Sequence, residues 1–95
     1  RVCKVLSAKP MRKTNKLMKI TVHDGMGERI IVSGIADEYA PEELVGKKII
    51  VIVNLEPHKF GNEISRGMLL APVNEDGKCR VLFADDLAQI GSIVH

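Results

Sequence analysis

The amino-acid sequence predicts a small all-β domain, a five-stranded Greek-key barrel with one short helical turn between its third and fourth strands. Three observations predict it. Short stretches rich in β-branched residues, or alternating apolar with polar side chains, recur along the chain. Turn signals bound them, notably Asp24-Gly25-Met26-Gly27 and Asn74-Glu75-Asp76-Gly77. Only one segment reads as helix. With 95 residues, 45% of them hydrophobic, the chain supports one core and excludes a multi-domain enzyme, so residues 1–95 are read as a single domain.

The first strand runs from Arg1 to Ala8 and is ended by Pro10. The second, Lys16 to His23, sets Met18, Ile20 and Val22 against Lys19, Thr21 and His23, so one face is buried and the other wet. The Asp24 to Gly27 turn returns the chain into a third strand, Glu28 to Ser33. In Pro41-Glu42-Glu43-Leu44-Val45-Gly46 the proline suits the first helical position. The two glutamates complement the positive end of the helix dipole, and Gly46 can close the turn in the left-handed conformation. Lys48 to Asn54 contains the unbroken run Ile49 to Val53, the pattern of a strand covered on both sides or closed into a barrel.

Residues 55 to 67 read as a polar connection. Gly67 to Ala71 is strand-like again, halted by Pro72. Cys79, Val81 and Phe83 alternate with Arg80, Leu82 and Ala84 as a further strand, and Gly91 to Val94 suggests a short edge strand. Strands in this number, with a helical turn after the third, match the oligonucleotide/oligosaccharide-binding (OB-fold) barrel. An open α+β sheet is the competing architecture.

The net charge of +2 averages two unlike regions. Residues 1–20 carry seven bases and no acid, while the remaining residues carry seven bases and all twelve acids. Such asymmetry suggests a polyanionic partner, the alternative being a solvated basic face. No apolar run has the length of a membrane span, and no apolar stretch follows the first bases as in a signal peptide. Cys3 and Cys79 are single and far apart, the usage of a reduced, cytoplasmic protein without a structural zinc. The chain opens on Arg1 with strand-like sequence at once, so it reads as a piece of a longer polypeptide.

Catalytic patterns are missing. His23, His58 and His95 have no metal-ligand spacing, and Ser65 lacks a nucleophile-elbow setting. Asp85-Asp86 and Glu42-Glu43 are adjacent pairs, which do not converge on one bond. The glycines fit neither a P-loop nor a dinucleotide fingerprint, so neither an enzyme nor a cofactor is expected. The basic first loop says more. Arg12, Lys13 and Lys16 surround Thr14 and Asn15, and Lys59 and Arg66 join them from the 55 to 67 connection. Tyr39, Phe60 and Phe83 are too few for a stacking platform along a single strand. Recognition of a folded RNA by shape and backbone fits better.

Four stretches together resemble the tRNA-binding domain found at the C-terminus of methionyl-tRNA synthetases and as free-standing tRNA-binding proteins. They are Arg1-Val2 with Thr14-Asn15-Lys16-Leu17; Arg29 to Ala36; Tyr39 with Pro41 to Lys47; and Asn54-Leu55-Glu56-Pro57 followed by Ser65 to Ala71. The resemblance covers nearly the whole chain. It implies a barrel, often homodimeric, that grips tRNA with little regard for sequence and raises the tRNA affinity of a synthetase in cis or in trans, without chemistry of its own. It carries tRNA-binding roles onto Lys16, Lys59, Ser65 and Met68, to which the basic segments read above add Arg12, Lys13, Asn15 and Arg66 as weaker candidates. Met68 also reads as the first core residue of its strand, and Ser65 as a bridge across the turn before Gly67. One departure concerns affinity rather than fold: where the family places a further base after the lysine, this chain has Phe60-Gly61-Asn62-Glu63. A chaperone branch with a similar barrel implies a homodimeric protein-binding module as the alternative.

Overall fold

In a computed structural model that describes residues 1–11 and 16–95, the chain forms seven strands and one helix. β1 (Val2–Pro10), β2 (Met18–His23) and β3 (Glu28–Ser33) form an antiparallel meander. After α1 (Pro41–Leu44), β4 (Lys48–Ile52) crosses back to pair with β1, and β7 (Met68–Leu69) pairs with β4. The resulting sheet order β3-β2-β1-β4-β7 is the Greek-key arrangement, in which the fourth strand lies beside the first. The sheet curls into a half-barrel, consistent with an OB-like all-β fold.

Local sequence explains the main elements. β2 alternates strictly between buried Met18, Ile20 and Val22 and half-exposed Lys19, Thr21 and His23. Gly25, at φ +93°, takes the left-handed position of the β2–β3 turn, while Asp24 Oδ1 accepts the Met26 and Gly27 N–H groups. A register shift between Val5 and Ser7 bends β1 and lets the sheet curl. Pro41 opens α1, Glu43 caps the Ala40 N–H, and buried Leu44 closes one end of the core formed by Val5, Ile20, Ile31, Ile49 and Val51.

Three local expectations change. The 55 to 67 connection contains a hairpin, β5 (His58–Phe60) with β6 (Glu63–Ser65), whose tip at Gly61 adopts φ +59°. Residues 79 to 84 do not form a continuous strand, because their N–H groups go to scattered acceptors. Arg80 donates to the Pro72 carbonyl, Val81 to the Tyr39 hydroxyl and Ala84 to the Lys48 carbonyl. Val81 is buried, whereas Phe83 is exposed and meets Tyr39 edge-on. Residues 91 to 94 form no strand either, although Gly91 and Ser92 exchange backbone hydrogen bonds with Val2. Both cysteines are free.

Candidate nucleic-acid interface

Opposed residues in an antiparallel pair share a face. Since Ile20 and Ile31 face the core, the neighbouring pairs Lys19 with Val32, Thr21 with Ile30, and His23 with Glu28 face outward. This outer face of β2 and β3 is flanked by the hairpin, whose tip approaches the end of β1 where a Cβ at Gly61 would sit 3.9 Å from the Met11 side chain. Strands two and three with these flanking loops are the surface on which barrels of this topology bind oligonucleotides.

The hairpin is fastened to that face at three points. The Ser65 hydroxyl accepts the Val32 N–H at 2.9 Å, the Arg66 N–H donates to the Ile30 carbonyl at 2.8 Å, and Lys19 Nζ lies 2.9 Å from Glu63 Oε2. Val32 is buried beneath it although its side chain points away from the core. Glu28, Ile30, Asn62, Ile64 and Arg66 line a shallow groove between β3 and the hairpin.

Lys16 is exposed at the end of the first connection, which is held by a hydrogen bond from the Ala36 N–H to the Lys16 carbonyl. Lys59 is exposed on β5 opposite Ile64, on the ribbon face turned away from Glu63 and Ser65. Arg66 is exposed at the groove. Ser65 is only 3% exposed, and its hydroxyl also donates to the Gly67 carbonyl at 2.9 Å, so its position is that of the bridge across the turn. Met68 is 56% exposed and points opposite to buried Leu69, not into the core. Arg12, Lys13 and Asn15 lie outside the described residues.

Sequence reasoning passed over Arg29. Its Nε pairs with Asp24 Oδ2 at 3.0 Å, and its Nη1 donates to the carbonyls of Val53 and Arg66 at 3.2 and 2.6 Å. One guanidinium thus ties the β2–β3 turn to both ends of the hairpin connection. The signal was present: Arg29 alternates with Ile31 on the inward side of β3, where a charge needs partners. The Met26 N–H, followed by Arg29 and the Gly27 N–H, holds the Asp24 carboxyl below its ordinary pKa of 3.8 against the opposing effect of burial. Among the described residues, no group of three or more His, Cys, Asp and Glu is placed to hold a metal ion, and no helix is long and apolar enough to cross a membrane.

Residues 1–92 match the family model described as "Putative tRNA binding domain". The chain is 42% identical over its full length to a methionine–tRNA ligase of Clostridium acetobutylicum and 45% identical over 90% of its length to that of Bacillus subtilis. It spans 15% and 13% of those proteins, respectively. A MetRS related protein from Pyrococcus horikoshii superimposes with a TM-score of 0.94 at 44% identity, over 99% of this chain and 86% of that one. The chaperone CsaA from Bacillus anthracis shares the fold, with a TM-score of 0.88 at 23% identity over 100% of this chain and 88% of the other.

Proposed function

The chain belongs to the tRNA-binding domain family, and on that premise we propose that it recognises tRNA by shape and backbone and raises the tRNA affinity of an attached or associated methionyl-tRNA synthetase in the cytoplasm. The observation that carries this reading is the outer β2–β3 face, closed on one side by a hairpin bearing Lys59 and bordered by the connection bearing Lys16. Lys16, Lys59 and Arg66 offer phosphate contacts, and exposed Met68 offers an apolar contact; Arg12, Lys13 and Asn15 are further candidates by sequence. Ser65 acts by holding the hairpin. The half-buried Phe60 packs against the His58 ring at 4.7 Å and leaves no run of free aromatic rings, which favours backbone recognition over single-strand stacking.

A second copy of the chain is part of the proposal. Leu82, Phe83, Leu87, Ile93 and Val94 are exposed on the C-terminal segment, an apolar surface of the kind symmetric dimers bury.

The test is a tRNA titration at several salt concentrations. Each lysine that neutralises a phosphate adds about one unit to the salt slope, so Lys16→Ala and Lys59→Ala are expected to weaken binding and flatten that slope. Parental binding that ignores salt, or variants that bind as tightly as the parent, would sink the reading. Capture of unfolded polypeptide without any tRNA complex would favour the protein-binding alternative.

A further inference from the structure

Resting on the tRNA-binding reading above, we infer that Glu63 limits the RNA affinity of this domain by occupying Lys19, a cation in the middle of the binding face. Lys19 stands opposite Lys9 on β1 and Val32 on β3, so two like charges face each other across the β1–β2 ladder on the outer side of the sheet. Directly opposed like charges destabilise a sheet. No acid lies among the first twenty residues to relieve them. The relief comes from β6, where the Glu63 carboxylate reaches Lys19 Nζ at 2.9 Å.

This arrangement has a cost for binding. The side chains of Lys19 and Glu63 are 33% and 30% exposed, so both are within reach of solvent and ligand, and an ion pair this exposed holds weakly. A phosphate can compete for Lys19, but it must displace a carboxylate that stays tethered beside it on the hairpin. While the pair is intact, Lys19 does not neutralise a phosphate or release the cation condensed on it, and the face gives up about one phosphate contact. Glu63 therefore serves two ends: it ties the hairpin, which lies along the edge of β3, to Lys19 of β2, and it holds down the grip on a polyanion. Ser65 and Arg66 fasten the same hairpin independently, so the acid is not needed for the fold of this face.

The experiment compares the parent, Glu63→Gln, Lys19→Gln and the double variant in tRNA titrations across salt, with exchange of the Val32 amide as a check that the hairpin remains closed. Glu63→Gln is expected to bind about three- to tenfold tighter at low salt, with a slope steeper by about one contact. The same substitution in the Lys19→Gln background should give a clearly smaller gain. Acylation of Lys19 by an amine-reactive ester, read by mass spectrometry, should be shielded by tRNA in Glu63→Gln and much less in the parent. Equal gains in the two backgrounds, or equal shielding of Lys19 in both proteins, would overturn the inference while leaving tRNA binding itself in place. A parent that binds no tRNA would instead remove the reading on which it rests.

Discussion

The Ser65 hydroxyl stands in for a ladder hydrogen bond, accepting the Val32 N–H on the edge of β3 at 2.9 Å while donating to the Gly67 carbonyl at the same distance. One small side chain thereby joins the first meander to the segment leading into β7. Because Val32 and Ser65 are both buried, Ser65→Ala would leave the Val32 N–H without a partner, a loss of about 1–3 kcal/mol. Urea unfolding is expected to show the lower midpoint, and exchange of the hairpin amides should speed up. A drop in tRNA affinity without either change would mean that Ser65 contacts RNA directly.

Gly67 faces a harder constraint than its neighbour. At φ +152°, a Cβ there would lie 2.8 Å from the Ile52 carbonyl oxygen and 2.9 Å from Val51 Cγ1. The carbonyl is backbone and cannot swing aside, so β7 would have to leave β4. Gly67→Ala is expected to cost on the order of 2 kcal/mol or more, which in a domain of this size lowers the thermal midpoint by roughly 8–16 °C. Gly77→Ala is a useful contrast, since it shares a positive φ but has nothing within 4 Å of the added carbon. A thermal scan showing Gly67→Ala no worse than Gly77→Ala would refute the steric argument.

These two residues also mark how far the sequence could be read. The alternation in β2 and the Pro41 to Gly46 helical turn were legible because each is a local pattern with its own periodicity or cap. The β5–β6 hairpin was not legible, because one of its faces packs through Ser65 and Glu63 rather than through apolar side chains, and no hydrophobic alternation records it. The segment 79 to 84 misled in the opposite direction: it alternates, yet its partners are single carbonyls and the Tyr39 hydroxyl, contributed by separate parts of the chain. At the candidate interface, Lys16 and Lys59 could be named from motif position. The pairing of Lys19 with Glu63 could not, since it depends on how a distant hairpin folds back.

Asp24 gives the domain an acid-sensitive joint. Its carboxylate accepts the Met26 and Gly27 N–H groups and pairs with Arg29, which hold its folded pKa below the ordinary value of 3.8. A depressed carboxylate contributes stability that is present above the unfolded pKa and is lost as pH falls through the folded one. Denaturant unfolding from pH 6 down to pH 2.5 should therefore show a loss of stability below about pH 4 that is smaller in Asp24→Asn. At pH 6 the variant itself should be the weaker protein, because Arg29 then lacks its counter-charge. Parallel pH profiles for the two proteins would show that Asp24 contributes nothing through its charge.

Leu87 is 91% exposed on a C-terminal segment that is nonetheless firmly seated, with Ala84 donating to the Lys48 carbonyl, Lys48 Nζ donating to the Ala88 carbonyl at 2.6 Å and Gly91 donating to the Val2 carbonyl at 2.7 Å. A fixed segment displaying Phe83, Leu87 and Ile93 loses little conformational entropy when a second copy covers it. Leu87→Glu with Ile93→Glu should then shift the sedimentation coefficient from dimer to monomer. The thermal midpoint measured at low protein concentration should barely move, because neither side chain belongs to the core. If the parent already sediments as a monomer at tens of micromolar (~50 μM, where an interface of micromolar Kd would be mostly formed), this apolar face is not a self-association surface.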